Sequence, residues 1–151
     1  MQPIVSPKTP VVSENGNSFT ITSGDYINNM DAEELQRRYD AGERDFTAVN
    51  LRSAKLIGAN LVGINLFAAD LTNANLAKAK LWGANLGGAN LANANLTRAN
   101  LSGANLKDAN LRGAKLKYIK IYGANLARAC YDNSTHFTPN FDPISNQMQK
   151  F

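Results

Sequence analysis

The sequence predicts an all-β solenoid, a coiled chain preceded by one short helix and closed by a differently built end. Three observations support this prediction. A large apolar residue, usually leucine, recurs every five positions in eighteen consecutive repeats from Phe46 to Tyr131. Helix-start residues stand upstream of the first repeat, and the period of five is lost after Tyr131. A repetitive coil needs such separate segments to cover its two ends.

The period of five excludes both common regular structures for the repeats. On an α-helix a five-residue step turns by about 140°, so successive leucines would point in all directions. In a flat strand consecutive leucines would alternate between faces, because five is an odd number. A chain that changes direction once per repeat instead directs every leucine to a common axis. Successive turns of such a coil stack about 4.8 Å apart.

Two further positions of each repeat are nearly constant. The residue two before the leucine is alanine in fourteen repeats, and the residue directly before it is asparagine in eleven. This A-N-L-x-x pattern, seen in LTRANLSGANLKDANL (residues 96–111), resembles the pentapeptide repeat family. The resemblance implies a right-handed quadrilateral β-helix of about 4.5 coils, with four repeats per coil and with leucine and alanine inside. Stacked asparagines would then hydrogen-bond along the coil.

Composition and turn-forming residues divide the 151-residue chain into four parts within one domain. The first part is polar and is expected to be partly disordered, the second is a capping helix, and the last is a C-terminal cap. The boundaries that we predict are 1–28 for the polar N-terminal segment, 29–43 for the capping helix, 44–133 for the pentapeptide-repeat β-helix and 134–151 for the C-terminal cap.

The predicted capping helix carries its start and stop signals in order. Asp31 is placed as the N-cap, and Glu34 follows three residues later as the partner of a capping box. Leu35 and Tyr39 are four residues apart and form a short apolar face toward the first repeat. Gly42 is placed to end the helix in a left-handed turn. The resemblance agrees, since helical caps precede the first repeat in members of the family.

The segment after Tyr131 is similar to the C-terminal ending of cyanobacterial members of the family. In that ending a tyrosine is followed by T-x-F, a proline and F-D-P. The matching residues here are Thr135, Phe137, Pro139, Phe141, Asp142 and Pro143. We expect a lid on the last coil that is formed by four apolar side chains, Phe137, Phe141, Ile144 and Met148.

Residues that could carry out catalysis or bind a metal are few. Cys130 and His136 are the only cysteine and histidine, and we expect a ladder residue and a turn residue respectively. The sequence contains no metal-binding spacing of cysteines or histidines and no phosphate-binding loop. The glycines of LWGANLGGANL fall where the coil needs tight corners. We therefore predict no catalytic, cofactor or metal site, with an enzyme kept as an alternative.

The N-terminus lacks the apolar stretch of a secretory signal, and no apolar run is long enough to span a membrane. We therefore expect a cytoplasmic protein. Its oligomeric state is expected to be a monomer, or a weak homodimer through a coil end.

Charge is unevenly distributed along the chain. Residues 44–133 hold twelve basic and four acidic residues, whereas the flanking segments hold four basic and eight acidic residues. Some pentapeptide repeat proteins resemble duplex DNA in shape and negative charge and bind type II topoisomerases. Because mimicry of phosphates requires a negative surface, the positive repeat region argues against that alternative function.

If four repeats complete a coil, residues twenty apart in sequence lie above one another. This spacing brings seven cationic and aromatic residues to one side of the coil. They are Lys78, Lys80, Trp82, Arg98, Tyr118, Lys120 and Tyr122. Two interpretations stay open: a solvated outer wall with scattered aromatics, or a surface for an unidentified protein partner. Nucleic acid is not expected as the partner, because no base-reading element is evident.

Overall fold

The computed structural model describes residues 11–12, 18–19 and 29–151. Strand β1 (Val11–Val12) pairs antiparallel with strand β2 (Ser18–Phe19), with Val11 opposite Phe19. The prediction of partial disorder for residues 1–28 otherwise lies outside the described residues.

Helix α1 (Ala32–Asp40) begins and ends where its sequence signals place it. The Asp31 carboxylate accepts a hydrogen bond from the Glu34 N–H at 2.8 Å, which satisfies one of the free donors of the first turn. The Glu34 carboxylate binds Arg37 instead of closing the capping box. Gly42 adopts a left-handed φ of 101° after the helix. Leu35 is fully buried, so the apolar face of the helix covers the end of the coil.

Each five-residue repeat makes one corner of the coil. In the repeat centred on Leu86, the Ala89 N–H donates to the Leu86 carbonyl at 3.1 Å, and Gly88 between them has a left-handed φ of 62°. The residue two after the central apolar residue has a φ between 55° and 70° in the repeats from Phe46 to Leu126. Such a φ suits glycine, yet ten of these seventeen corners carry another residue.

Consecutive coils pair in parallel at a spacing of twenty residues, so four repeats complete one turn. Asn85 pairs with Asn105, for example, and the Leu86 N–H donates to the Asn105 carbonyl at 2.7 Å. The same pairing runs without interruption from Asp45 opposite Asn65 to Asn110 opposite Cys130. The four corners give the coil four sides.

We number the four sides in chain order by the residues at their centres. Face 1 holds Phe46, Leu66, Leu86, Leu106 and Leu126. Face 2 holds Leu51, Leu71, Leu91, Leu111 and Tyr131. Face 3 holds Leu56, Leu76, Leu96 and Leu116, and face 4 holds Leu61, Leu81, Leu101 and Ile121.

The central leucine and the alanine two residues before it point inward on all four faces. Leu86 is completely buried and Ala84 is 1% exposed, as the sequence predicts. Four columns of leucines fill the interior, and the alanine methyl groups occupy the space that remains beside them. This column of stacked side chains is the hydrophobic core of the protein.

Asparagine before the leucine holds each repeat together locally. In ten of the eleven repeats that carry it, its side-chain oxygen accepts a hydrogen bond from the backbone N–H two residues later, at 3.0–3.2 Å. Ladders between coils also form, as predicted, but only in some columns. Asn85 donates to Asn65 and accepts from Asn105, both at 3.0 Å. We call this position of the repeat the ladder position.

The segment after Tyr131 forms one more turn of the coil, with an irregular register. Strand β3 (Lys115–Leu116) pairs with β5 (His136–Phe137) at a spacing of twenty-one residues. Strand β4 (Cys130–Tyr131) pairs with β6 (Gln149–Lys150) at a spacing of nineteen. The spacing is thus first one residue longer and then one residue shorter than the regular twenty. The Thr138 hydroxyl replaces a backbone partner by accepting from the Tyr118 N–H at 2.7 Å.

The predicted lid is correct for three of its four side chains. Met148 is buried, and Phe137 and Phe141 stack with ring centroids 4.9 Å apart while packing on the core. The prediction is wrong for Ile144, which is 76% exposed. It lies in a turn held by the Asp142 carboxylate, which accepts from the Ile144 N–H at 3.0 Å, and this turn directs the side chain to solvent. His136 lies in β5 rather than in a turn.

Candidate interaction surface

The coil stacks the residues of the predicted surface on faces 3 and 4. On face 4, backbone pairing connects Asn60, Lys80, Asn100 and Lys120 in one column. In the neighbouring column the Gly83 N–H donates to the Ser102 carbonyl at 2.9 Å and the Gly103 N–H to the Tyr122 carbonyl at 2.8 Å. Trp82 and Tyr122 therefore lie in one column, with Ser102 between them.

The other three residues of the predicted surface form the corner between faces 3 and 4. Lys78, Arg98 and Tyr118 all occupy the left-handed corner position, with φ angles of 58–61°. The Arg98 guanidinium lies 5.9 Å from the centre of the Tyr118 ring, a distance that permits a cation–π contact. The corner therefore continues the charged and aromatic character of face 4 around the edge of the coil.

The aromatic side chains of this surface are not part of the core. Trp82 is 58% exposed, Tyr118 is 60% exposed and Tyr122 is 92% exposed. A column of glycines follows them at the next corner, where added side chains would meet open space or ordinary contacts. Because these exposed rings make few contacts with the rest of the protein, they contribute little to the stability of the fold.

The positive charge of the repeats is concentrated on two of the four faces. Faces 3 and 4, which we call the cationic faces, carry seven cationic residues and no acidic residue between residues 44 and 133. These cations are Lys55, Lys78, Lys80, Arg98, Lys115, Lys117 and Lys120. Faces 1 and 2, which we call the balanced faces, carry five cations and all four carboxylates: Arg44, Arg52, Lys107, Arg112 and Arg128 with Asp45, Asp70, Asp108 and Asp132.

Carboxylates on the balanced faces are engaged within the protein. Arg52 binds Asp70 at 3.1 Å, and Arg128 binds Asp108 at 2.7 Å. The Arg128 guanidinium lowers the pKa of the Asp108 carboxyl below its ordinary value. Hydrogen bonds from the Ser134 hydroxyl and from backbone N–H groups lower the pKa of Asp132 as well. The carboxylates of these faces are therefore held by partners within the protein.

The cations of the cationic faces have no such partners in the described part of the chain. The four ion pairs found among residues 29–151 involve none of the seven. Two acidic residues come near at the N-terminal end, where Asp31 and Glu33 line the same groove as Lys55. The positive field of these two faces is therefore largely uncompensated along their length.

Sequence reasoning missed three residues of this surface, Lys55, Lys115 and Lys117. The signal that reveals Lys55 and Lys115 is a departure from the repeat's own pattern. Four of the eight ladder positions on the cationic faces are lysine, whereas the ten on the balanced faces hold seven asparagines, two aspartates and a cysteine. A lysine ammonium group is only a donor, so it cannot accept the hydrogen bond that asparagine accepts from the backbone N–H two residues later. The fold does not explain the replacement.

Side chains able to carry other chemistry are dispersed. The Cys130 thiol lies 3.9 Å from the Arg128 carbonyl, and His136 is exposed in β5. Within residues 29–151 and the β1–β2 pair, no group of three or more His, Cys, Asp or Glu side chains is placed to hold a metal ion. None of the helices described is long and apolar enough to cross a membrane.

Comparison with known proteins agrees with the geometry. The family model described as pentapeptide repeats (8 copies) matches the chain twice, over residues 45–83 and 83–117. The crystal structure of alr5209, a pentapeptide repeat protein from Nostoc Pcc 7120, is 37% identical and superposes with a TM-score of 0.68. The alignment covers 83% of this chain and 98% of that one. The chain belongs to the pentapeptide repeat family.

A second solved member of the family is also similar to this chain. Rfr23, a pentapeptide repeat protein from the cyanobacterium Cyanothece 51142, is 36% identical with a TM-score of 0.54, over 71% of this chain and 60% of that one. Pentapeptide repeat proteins fold as right-handed quadrilateral β-helices, which agrees with the twenty-residue coil. The search of curated proteins gives no match.

Proposed function

We propose that this pentapeptide repeat protein is a non-catalytic scaffold that binds a protein partner through its cationic faces. The observation that supports the proposal is the convergence of the seven predicted residues on one exposed surface that the fold does not use. Trp82 and Tyr122 illustrate this point, because Ser102 occupies the same column in the coil between them. A serine therefore satisfies the structural requirements of that position.

The composition of the surface is that of an interface rather than of a merely solvated wall. Tryptophan, tyrosine and arginine are the residues most enriched among the energetic hot spots of protein interfaces. This surface presents all three within neighbouring columns, through Trp82, Tyr122 and Arg98. An exposed wall selected for solubility alone would not need the aromatic rings.

Site-specific photo-crosslinking tests the proposal in a lysate of the source organism. A benzophenone side chain at position 82 is expected to capture a defined protein, identified by mass spectrometry. The matched control is position 92, because Ala92 occupies the same place in its repeat but lies on face 2. The captured protein, once purified, should bind the parent chain and should not bind a double variant that carries both Trp82→Ser and Tyr122→Ser. Capture of the same proteins from both positions would contradict the proposal.

Binding of a type II topoisomerase through DNA mimicry is the first alternative. Within residues 44–133 the cationic faces carry no carboxylate, and the balanced faces carry five cations and four carboxylates. None of these faces therefore offers the negative surface that mimicry of phosphates requires. We expect no inhibition of DNA supercoiling by gyrase at micromolar protein. Inhibition that survives physiological salt would favour this alternative. The cytoplasmic location, and an oligomeric state of monomer or weak homodimer through a coil end, stay predictions.

A further inference from the structure

The ladder lysines of the cationic faces each come with a particular neighbour. In the four repeats that carry them, the residue after the central apolar residue is large: Lys55 with Ile57, Lys80 with Trp82, Lys115 with Lys117, and Lys120 with Tyr122. In the other four repeats of the same faces an asparagine accompanies a smaller residue: Val62, Ala77, Thr97 or Ser102. The large side chains are exposed, with Ile57 at 60%. Charge and exposed bulk therefore come in pairs.

Each of these pairs departs from what the coil requires. The asparagine that lysine replaces would accept a hydrogen bond from the N–H of this same neighbour, as Asn100 accepts from Ser102 at 3.1 Å. The lysine gives up that bond and directs a cation outward instead. Four such pairs lie on two adjacent faces, and the balanced faces have none.

We infer that the protein partner is acidic, and that it presents carboxylates next to apolar side chains where it contacts the four repeats with a ladder lysine. The inference rests on the proposed function and names the partner's chemistry. Within residues 44–133 no carboxylate lies on the faces that carry the seven cations, so these cations gain most from a partner that supplies negative charge. The apolar groups of Ile57, Trp82 and Tyr122 alternate with these cations, so the complementary surface alternates acidic and apolar groups.

Two other polyanionic partners fit the geometry less well. Trp82 and Tyr122 are two coils apart, about 10 Å, whereas successive bases of a nucleic acid strand stack at about 3.4 Å. Their column also borders a convex corner rather than a groove that could follow a strand. An anionic membrane would need a continuous apolar surface to insert, but Ser102 separates the two rings and the neighbouring column carries Lys80 and Lys120.

A binding titration with a synthetic peptide tests the inference, because Trp82 is the only tryptophan and reports directly from the surface. The probe is a peptide in which glutamates alternate with phenylalanines, and its control has glutamine at every glutamate. We expect the glutamate peptide to change Trp82 fluorescence saturably at low salt and the glutamine peptide not to bind. Affinity should fall about tenfold or more on raising the salt to about 0.15 M.

A matched pair of charge reversals locates the binding. Lys117→Glu on face 3 and Lys107→Glu on face 1 change the same exposed position of the repeat by the same charge. We expect Lys117→Glu to weaken the glutamate peptide about fivefold or more, and Lys107→Glu to change its affinity less than about twofold. Equal losses in the two variants, or no binding by the parent chain, would overturn the inference.

Two further measurements separate the possible failures. Tighter binding of an oligothymidylate or of phosphatidylglycerol vesicles, weakened by the same Lys117→Glu change, would overturn an acidic protein partner. If a partner crosslinked at position 82 binds independently of salt and of Lys117→Glu, this inference fails while the proposed function stands. Replacement of Lys55, Lys80, Lys115 and Lys120 by asparagine should abolish peptide binding without unfolding the chain. A folded variant that does not bind would exclude misfolding as the cause of the lost binding.

Discussion

The balanced faces and the cationic faces share one backbone and one core but differ in what their outward residues do. On the balanced faces, asparagines form ladders in some columns, and the carboxylates accept hydrogen bonds from neighbouring arginine, threonine or serine side chains. On the cationic faces, lysines take half of the ladder positions and no repeat carboxylate faces them. The coil therefore tolerates the loss of ladder bonds on two sides, and the difference separates residues kept for folding from residues available for binding.

The largest expected effect tests whether the two pairs of faces really share one core. Leu86 on face 1 and Leu101 on face 4 are 0% and 1% exposed. Replacement of either by alanine should lower the free energy of unfolding by about 2–5 kcal/mol, because neighbouring coils cannot close the cavity. Denaturant titration should give losses for the two variants that agree within about 1 kcal/mol. A much smaller loss on face 4 would mean that the cationic faces are less firmly packed.

Overpacking provides the complementary test of the same interior. Ala84, 1% exposed, has room for a methyl group beside the leucine columns. Ala84→Leu should therefore destabilise the protein by about 1–3 kcal/mol. An unchanged denaturant midpoint would show that position 84 does not point inward.

Exchange of ladder residues between the two kinds of face sharpens the comparison. Asn85→Lys removes the bond from the Gly87 N–H at 3.1 Å and the two ladder bonds to Asn65 and Asn105, so we expect a loss of about 1–3 kcal/mol. Lys80→Asn should leave stability unchanged or raise it by up to about 1 kcal/mol, since it restores an acceptor. Thermal melts of both variants measure the contrast. A destabilised Lys80→Asn would show that this lysine supports the fold.

Acid should weaken the balanced faces selectively. The folded-state pKa values of Asp108 and Asp132 lie below their ordinary value, so the unfolded chain binds protons more readily. Their contribution is complete above the ordinary pKa of about 3.9 and is lost as the pH falls below it. Melting temperatures between about pH 7 and pH 3 should fall less steeply in Asp108→Asn with Asp132→Asn than in the parent. Lys117→Gln, on a cationic face, should leave the slope unchanged.

The smallest expected effect is on the aromatic residues of the cationic faces. Trp82→Ser with Tyr122→Ser should keep the melting temperature within a few degrees of the parent, a change of about 0.5 kcal/mol or less, because both rings are mostly exposed. Leu81→Ser, one residue away and fully buried, is the control that should unfold or strongly destabilise the coil. A large loss in the double variant would assign the rings to folding instead of binding.

Much of the fold could be predicted because each local signal has a direct physical cause. The bond between Asp31 and the Glu34 N–H, the inward position of Leu86 and the glycine corner at Gly88 all follow from single positions in the sequence. The lid failed at Ile144 for the opposite reason. A turn held by Asp142 decides the direction of that side chain, and no period remains there to predict it.

The candidate surface was predicted only in part. The seven predicted residues came from three columns, two of which contain aromatic rings, whereas Lys55, Lys115 and Lys117 lie in two other columns that contain none. These three residues become part of the surface once the charges of each face are counted separately. Absence of carboxylates on a whole face is a property of the assembled coil, which no local pattern shows.

By itself, the sequence determined which side chains point to the axis, because a period of five is compatible with burial only in a chain that bends once per repeat. It also determined the helix that covers the first coil, through its cap and its apolar face. Tertiary structure alone decided that coils pair at twenty residues, and that the last turn slips to twenty-one and then nineteen. Backbone hydrogen bonds between coils set that spacing, and the spacing sorts the charges into balanced and cationic faces.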